Sequence, residues 1–565
     1  MKKLFVFFLI FATFALNSAP LSQMAQEIEY SINYKLKSPF KTLVTQIYNL
    51  NGKTPLWVDS PRFSQALAIL SDPTINYLNR NYNKREIRQL SNAILQGKIP
   101  PQNIIKAKAR LDVMVTDGVL HLLHFLRIGD TDWNLVQQKL KMVKERQDVK
   151  AVWEMKIKSM PTAKAFLSGI KKYGPKQYFN LQIPLKRRFV DLVRVYKKYQ
   201  KMPHFSRLHE GRTIRVGMSD DRVSQIRKML KFFGDYPAQK STSSNYYDRT
   251  LANAVRSFRE RFKLPPGNYV DNKMIYYLNK DKNFYLRKIL VNLEKLRLYP
   301  RSFESTYVEV NVPEYKMRFY VGGRVIFSSD VVVGRIDRPT PIFSSKMSYM
   351  VLNPTWTIPD NLIKRDLIPA LKKNPDYLAQ HNIHVYRGKQ EVELNLEELF
   401  SYQHKKERVP YRFVQFPSKN NALGRVKFMF PNRYSVYLHD TDNRDLFKYR
   451  YRVFSSGCMR VARPFGFMHK LLRFAKGNYS PATIKAIFDS NKPTTIKLKR
   501  PIPVHILYFT VNKVGRKVYF LYDIYLYDKM IWESMVGHKR RGFTVPRNRL
   551  DPLRKPRKRR SFFGV

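Results

Sequence analysis

The segment Ser455-Ser456-Gly457-Cys458-Met459-Arg460 contains Cys458, the only cysteine among 565 residues. His439 lies nineteen positions upstream, at the end of an alternating apolar run. A thiol beside an imidazole is typical of a nucleophilic site, because the histidine generates the reactive thiolate near neutral pH and stabilises it as an ion pair. A lone cysteine can also be a small buried apolar residue. The surrounding sequence favours a catalytic role over a structural one, and we predict that Cys458 is a nucleophile activated by His439.

The pattern around this pair predicts a mainly-β domain over residues 303–530. From Tyr307 onward, apolar and polar residues alternate with the period of a half-buried strand. So many short strands are typical of a sandwich or a barrel. The predicted strands span residues 307–312, 316–321, 325–333, 349–352, 426–430, 434–438, 504–511 and 517–525.

Residues 353–424 interrupt these strands with a proline-punctuated, partly helical stretch. A long insertion in a compact β domain often acts as a lid over a site. It can also be a surface excursion with no role in binding. We predict a lid, and we place Trp356 in it as a candidate substrate-binding residue.

The N-terminal part of the chain has helical periodicity. Residues 85–95 and 191–199 repeat apolar side chains three and four positions apart. We therefore predict an α-helical scaffold domain over residues 25–205. Trp57 is interpreted as a core anchor of this domain. No combination of residues in the domain indicates a catalytic site.

A second helical unit is predicted over residues 210–282. Its helical segments have apolar residues three and four apart, and a polar loop separates them. Asp248 or Thr250 is placed to cap the second helix. The pattern predicts a small helical bundle.

The charge of the chain is the outlier in its composition. Lys and Arg number 104 against 43 Asp and Glu, which gives a net charge of +61 spread along the sequence. A large anionic partner is one interpretation, and a general bias toward basic surfaces is the other. Nucleic acid is not predicted, because zinc-ligand spacing, a recognition-helix pattern and an aromatic RNA-binding signature are all missing from the sequence. A carboxylate-rich cell wall or anionic lipid fits better.

The two ends of the sequence carry targeting features. Met1-Lys2-Lys3 precedes an apolar stretch and then Asn17-Ser18-Ala19, the layout of a secretory signal peptide over residues 1–19. The apolar stretch is short for a membrane span, although an uncleaved anchor at the inner membrane is the alternative. We expect an exported, periplasmic protein. Residues 538–565 form a basic tail, which we expect to be disordered and to contact anionic lipid.

Several stretches together resemble one family. His439-Asp440-Thr441 followed by 456–461 is similar to the signature of the L,D-transpeptidases, which carry a YkuD-type catalytic domain. Residues 333–341, 353–359 and 421–428 are similar to further stretches of these enzymes. The helical units ahead resemble the scaffold and the peptidoglycan-binding domain of the large Gram-negative periplasmic members. One departure is Ser456, where many smaller members carry histidine.

The resemblance implies a fold class and a reaction. The fold is multidomain α+β: a helical scaffold, a three-helix peptidoglycan-binding domain, and a mainly-β catalytic sandwich with a lid insertion. Cys458 would attack a diaminopimelate carbonyl of a tetrapeptide stem, release D-alanine, and pass the acyl group from its thioester to the amine of a second stem. The implied partners are stem peptides and glycan, without cofactor or metal. A hydrolase of the same fold and a non-catalytic wall-binding scaffold remain alternatives.

The remaining site residues are assigned from their chemistry. Gly457 and Cys458 would supply backbone N–H groups to the oxyanion. Arg460 is a candidate to bind a stem carboxylate, or else a buried support of the loop. Ser455 and Ser456 would hydrogen-bond to substrate or stabilise the turn. The group that orients His439 is left open, with a backbone carbonyl as one option.

Overall fold

The computed structural model describes residues 22–147 and 151–537, and the chain divides into two compact units. One unit takes in the residues up to Asp130, Lys156–Lys198 and Leu293–Ser302. The other takes in Thr131–Met155, Tyr199–Asn292 and the residues from Phe303 onward. The predicted signal peptide and basic tail lie outside the described residues. None of the described helices has the length and apolar character that a membrane crossing needs.

The N-terminal region is helical, as predicted. Helix α5 is its centre, because most of its residues are buried on every side. The helices in chain order are α1 (Gln23–Tyr30), α2 (Lys41–Leu50), α3 (Arg62–Ser71), α4 (Lys84–Leu95), α5 (Ile104–Arg127), α6 (Trp133–Gln147), α7 (Ala163–Gln182) and α8 (Lys186–Gln200). All of α6 belongs to the second unit.

A buried carboxylate organises the core around α5. Asp112 accepts hydrogen bonds from the backbone N–H groups of residues 56, 57 and 58 at 2.9, 2.8 and 2.7 Å, and from the Tyr48 hydroxyl. The indole of Trp57 donates to Thr116 Oγ1 at 2.8 Å, and its side chain is fully buried. The prediction that Trp57 is a core anchor is confirmed.

Residues 210–282 contain three helices, α9 (Arg222–Phe233), α10 (Arg249–Arg261) and α11 (Asn272–Leu278), followed by α12 (Lys282–Leu296). Asp248 caps α10 by accepting from the Leu251 N–H at 2.7 Å. Gly234 ends α9 with φ of +83°, a conformation that glycine adopts without steric cost. Peptidoglycan binding by this bundle remains a prediction.

The C-terminal region is mainly β, as predicted. Its strands in chain order are β1 (Tyr307–Asn311), β2 (Lys316–Val321), β3 (Arg324–Gly334), β4 (Ser344–Leu352), β5 (Trp356–Thr357), β6 (Ile383–Arg387), β7 (Gln390–Glu391), β8 (Arg412–Gln415), β9 (Val426–Met429), β10 (Leu438–His439), β11 (Val453–Ser455), β12 (Met459–Val461), β13 (Thr494–Leu507), β14 (Val511–Val514) and β15 (Lys517–Phe520). Its helices are α13 (Asp360–Leu362), α14 (Ile368–Lys373), α15 (Tyr377–Gln380), α16 (Leu396–Ser401), α17 (Pro464–Leu472), α18 (Pro481–Asp489) and α19 (Tyr527–Gly537).

Nine strands form one sheet in the order β11-β3-β12-β10-β9-β4-β13-β1-β2. The long β3 closes it, because its first half pairs with β2 and its second half pairs with β12 and β11. The two walls of the expected sandwich are therefore hydrogen-bonded together along β3. Strands β14 and β15 form a separate hairpin.

The predicted strand over residues 434–438 is wrong except at its end. Only Leu438 and His439 pair in the sheet. The preceding residues form a turn, since Asn432 Nδ2 donates to the Val436 carbonyl at 2.8 Å and Ser435 has φ of +53°. An alternating apolar pattern does not reveal such side-chain to backbone bonds.

The insertion over residues 353–424 has its own fold. It is partly helical, as predicted, and it also contains a four-stranded sheet in the order β5-β8-β6-β7, which the sequence did not indicate. A separate apolar cluster packs inside it, including Leu367 and Phe413. His381 and His384, which have helical spacing in the sequence, lie after α15 and in β6 instead.

The hydrogen bonds of Asp112 make a prediction about stability. We expect Asp112→Ala to lower the free energy of unfolding by about 3 kcal/mol or more, because three buried N–H groups lose their acceptor. Chemical denaturation monitored by circular dichroism measures this loss. Glu29→Ala, which removes an exposed ion pair with Lys53, is the control and should cost less than about 1 kcal/mol. Equal effects of the two changes would contradict the assignment.

Candidate active site

Two short parallel strands bring the predicted nucleophile and base to one face of the sheet. In β10 and β12, Leu438 pairs with Met459 and His439 pairs with Arg460. His439 and Arg460 pair in register and so share a face of the sheet. Cys458 lies in the bend one residue before β12, and the charge of Arg460 acts on both its thiol and the imidazole. The sheet thus gathers a thiol, an imidazole and a guanidinium from two separate segments.

The backbone carbonyl of Asp440 orients the imidazole. His439 Nδ1 lies 2.6 Å from that carbonyl oxygen, so Nδ1 carries the proton and Nε2 is left as the basic nitrogen. The Asp440 carboxylate faces away and accepts from the backbone N–H groups of Arg425 and Thr441 at 2.9 and 2.7 Å. The sequence left open which group orients His439, and in the structure that group is a backbone carbonyl.

The surroundings keep the imidazole of His439 neutral. Burial, together with the nearby cations Arg460 and Lys427, lowers the pKa of His439 to about 3. Lys427 lies on β9 directly opposite His439 in the ladder. A neutral imidazole with a free Nε2 can accept a proton, which is what a general base requires.

The thiol of Cys458 is also neutral. Burial raises its pKa to about 11, although the Tyr437 backbone N–H and the Arg460 charge favour the thiolate. Cys458 Sγ donates to the Ser435 carbonyl at 3.7 Å. The ion pair expected from the sequence is therefore absent between these two described residues. Burial penalises the charged form of each group and so favours the neutral pair.

The turn that carries the cysteine is stabilised from within. Ser455 Oγ donates to the Cys458 carbonyl at 2.5 Å and accepts from the Gly457 N–H at 3.3 Å. Ser455 is buried, so its hydroxyl serves the turn rather than an open cleft. The Gly457 N–H, which the sequence analysis assigned to the oxyanion, is engaged in this bond. The Cys458 N–H has no hydrogen-bond partner among the described residues and stays available.

Gly457 is required by its backbone conformation. Its φ is +119°, which residues with a side chain rarely adopt. A Cβ would meet only atoms at 3.9 and 4.0 Å, so close approach is not the constraint at this position. A role of Gly457 in oxyanion binding remains a prediction.

Sequence reasoning missed two supports of this turn. Thr340 Oγ1 donates to the Gly457 carbonyl at 2.9 Å and accepts from the Gly334 N–H at 2.8 Å. The Tyr525 hydroxyl bridges the Gly334 carbonyl at 2.6 Å and the Thr340 N–H at 3.1 Å. Thr340 lies within residues 333–341, one of the stretches on which the sequence resemblance rests. Nothing in the sequence distinguishes Tyr525 from other tyrosines.

Ser456 connects the turn to the insertion. Its Oγ accepts from Arg338 Nη1 at 2.9 Å, and the same guanidinium forms an ion pair with Asp366 at 2.5 Å. Both ion-pair partners are largely buried, which makes the pair costly to break. Residues 353–424 are thereby attached to the cysteine loop.

Arg460 is a buried member of the site. Its side chain is 3% exposed, and Nη1 donates to Thr441 Oγ1 at 3.2 Å. Burial lowers the pKa of Arg460, while the Asp442 and Cys458 charges oppose that shift. This placement favours electrostatic support of the site over direct capture of a substrate carboxylate at the surface.

Trp356 lies in the core of the insertion and is 4% exposed. Its indole N–H forms a hydrogen bond with the hydroxyl of Tyr437, whose ring stands edge-on to His439 with centroids 5.6 Å apart. Trp356 therefore reaches the site through Tyr437, and not as the exposed platform that a substrate-binding role implied.

Comparisons with known proteins identify two regions of the chain. Residues 305–504 match a family model for the L,D-transpeptidase catalytic domain of the YkuD type, and residues 42–182 match a scaffold domain. A protein of Haemophilus influenzae named "Putative L,D-transpeptidase" is 33% identical over 257 residues, which cover 45% of this chain and 50% of the relative. The chain thus spans about half the length of the curated relative it matches.

Two solved structures are also similar. An L,D-transpeptidase mutant of Enterococcus faecium is 16% identical, covers 37% of this chain and 53% of its own, and has a TM-score of 0.15. An L,D-transpeptidase of Stackebrandtia nassauensis is 12% identical, covers 56% of this chain and 100% of its own, and has a TM-score of 0.19. These TM-scores are too low to establish a shared fold, so the family is assigned from the family models. Through residues 305–504 and the scaffold domain ahead of them, the chain belongs to the L,D-transpeptidase family.

Proposed function

We propose that this protein is a cysteine-dependent peptidoglycan transpeptidase that links two diaminopimelate residues. The observation that supports the proposal is the neutral His439 imidazole, oriented by the Asp440 carbonyl on the strand that pairs with β12, directly after Cys458. A neutral base beside a neutral thiol moves one proton during the attack itself. The family membership supplies the substrate class.

The first step is acylation. His439 Nε2 takes the proton from Cys458 Sγ while the sulfur attacks the carbonyl of diaminopimelate in a tetrapeptide stem. The carbon–nitrogen bond to D-alanine breaks, and the departing amine takes the proton back from the imidazolium. A thioester to Cys458 remains, and His439 is neutral again.

The charges around the site act on both partners of this step. Arg460 and Lys427 disfavour a lasting imidazolium, as the low pKa of His439 indicates, and Arg460 favours negative charge at the sulfur. The same cations stabilise the oxyanion that forms on the attacked carbonyl, and the Cys458 N–H is the donor assigned to that oxygen. The catalytic residues are therefore Cys458 and His439, supported by Arg460.

The second step transfers the acyl group to an amine. The side-chain amine of a second stem loses a proton to His439 and attacks the thioester, which forms an amide and restores the thiol. Water competes with the amine for the same thioester. We assign the exclusion of water to the insertion over residues 353–424. A hydrolase results if water wins, and a lipoprotein lysine is a third acceptor with the same chemistry. We prefer the cross-link because the helical bundle over residues 210–282 would hold the enzyme on glycan.

The product assay tests the reaction. Purified protein incubated with disaccharide tetrapeptides should yield cross-linked dimers with loss of D-alanine, observed by mass spectrometry. We expect Cys458→Ala to lower the rate by about 10³-fold or more, since the acyl-enzyme cannot form. Tripeptide products alone would show a hydrolase, and unchanged turnover in Cys458→Ala would contradict the whole mechanism.

The pKa of the thiol predicts how its reactivity depends on pH. With the Cys458 pKa near 11, the thiolate fraction rises about tenfold per pH unit from neutrality upward. Alkylation by iodoacetamide, followed by intact-protein mass, should therefore accelerate steadily with pH and show no plateau near pH 7. Since Cys458 is the only cysteine, the mass reports on it alone. A plateau below about pH 8 would mean that the thiolate–imidazolium pair already exists in the free enzyme.

The ion pair of Arg338 predicts a role for the insertion. We expect Asp366→Ala to lower kcat about tenfold, because Arg338 then loses the partner that fixes Ser456 in the cysteine loop. The matched control is Glu398→Ala, which breaks the exposed ion pair with Arg387 in the same insertion. Equal turnover of the two variants would show that the insertion does not act through this contact.

A further inference from the structure

Residues 131–155 lie inside the stretch that matches the scaffold family, yet they group with the unit that holds the sheet. Within them, α6 packs against α19, with Lys139 and Glu533 joined at 2.7 Å. A short extended segment, residues 151–155, follows. We call it the strap, and it runs beside both loops that flank Cys458.

The strap is fixed to the first of these loops by its backbone. Trp153 pairs with Ile342 in a parallel bridge, in which the Glu154 N–H donates to the Ile342 carbonyl at 2.8 Å and the Ile342 N–H donates to the Val152 carbonyl at 2.9 Å. The Trp153 ring is buried against Trp133 and Tyr527, with centroids 6.4 and 5.4 Å away. Ile342 follows the segment that holds Thr340, so the strap is continuous with the support of Gly457.

The side chain of Glu154 reaches the second loop. Its Oε1 accepts from the Tyr434 hydroxyl at 2.8 Å and from Arg433 Nη2 at 3.0 Å. Tyr434 also packs edge-on against Phe343, with centroids 5.1 Å apart. Because Ser435 follows directly with φ of +53°, an anchored Tyr434 fixes the direction of the Ser435 carbonyl.

The anchored turn presents two backbone groups to the sulfur. The Ser435 carbonyl accepts the thiol proton at 3.7 Å, and the Tyr437 N–H faces the sulfur as a donor that favours the thiolate. One group therefore holds the resting thiol, and the other supports the charge that develops during attack. Both positions depend on the turn that Glu154 holds.

We propose that Glu154 is a positioning residue for the nucleophile, and that the strap from the scaffold-family region places the backbone groups that receive the sulfur of Cys458. Its effect on turnover rests on the proposed function, whereas its effect on thiol reactivity does not. Glu154 acts by geometry rather than by charge, since its carboxylate is exposed at the surface and paired with Arg433. The charged and titratable groups facing the sulfur itself are Arg460, Tyr437 and, on the same face, His439 with Lys427.

Thiol alkylation in the full chain tests the proposal. In Glu154→Ala, the freed turn withdraws the Tyr437 N–H, so the thiolate is less favoured and the iodoacetamide rate constant at fixed pH should fall about tenfold. In Glu154→Gln, the amide oxygen still accepts from Tyr434, and the rate constant should stay within about twofold of the unchanged protein. Tyr434→Phe removes a single hydroxyl and should reproduce most of the alanine effect.

A matched variant separates positioning from simple loosening. Lys139→Ala breaks the contact of α6 with Glu533 without touching the turn, and it should alkylate at the normal rate. Loosening that merely exposes the sulfur would speed alkylation, so a rate constant for Glu154→Ala that is unchanged or higher overturns the proposal. The alkylation rates can follow the expected order while neither the unchanged protein nor any variant forms cross-links. In that case the positioning role of Glu154 stands and the proposed function fails. With activity present, kcat should fall in Glu154→Ala and recover in Glu154→Gln, with KM little changed.

Discussion

The parallel pairing of β10 with β12 is the constraint on which the rest of the site depends. It sets His439 opposite Arg460 and leaves Cys458 two residues before Arg460, in the turn that leads into β12. A shift of one residue in this register would turn either the imidazole or the sulfur to the other side of the sheet. Parallel neighbours require a long connection, and the chain provides one in the residues between His439 and Met459. The closed sheet holds both strands in its interior and leaves neither at an edge.

Burial then decides the protonation of the pair. The imidazole is buried beside Arg460 and Lys427, and desolvation raises the pKa of the partly exposed Cys458 thiol, so the imidazole is neutral and the thiol remains protonated. A resting thiolate would be exposed to oxidation and to stray electrophiles. A neutral pair becomes reactive only when a bound substrate accepts the charge on its carbonyl oxygen. The same cations that suppress the imidazolium are positioned to stabilise that oxygen.

The loops around the sulfur are held from several distant segments. Thr340 and Tyr525 support the Gly457 turn, Arg338 links it to Asp366 in the insertion, and Glu154 fixes the turn before β10. Each contact is a hydrogen bond or an ion pair that spans many residues of sequence. A nucleophile on a short turn needs such external supports, because its own few hydrogen bonds do not fix its position to within the fraction of an ångström that chemistry requires.

The sequence by itself determined the order of the regions, the mainly-β nature of the C-terminal part, and the candidate pair Cys458 and His439, because periodicity and residue chemistry are local properties. It also predicted a helix cap at Asp248 or Thr250, of which the structure has Asp248, and the buried Trp57, each of which depends on near neighbours or on size. It failed at the turn before β10 and at the sheet inside the insertion, where side-chain bonds and partner strands override local pattern. Only the tertiary structure decided that the Asp440 carbonyl orients the imidazole, that Ser455 occupies the Gly457 N–H, and that Trp356 is buried. Those outcomes depend on desolvation and on contacts between residues far apart in the chain, neither of which a linear pattern encodes.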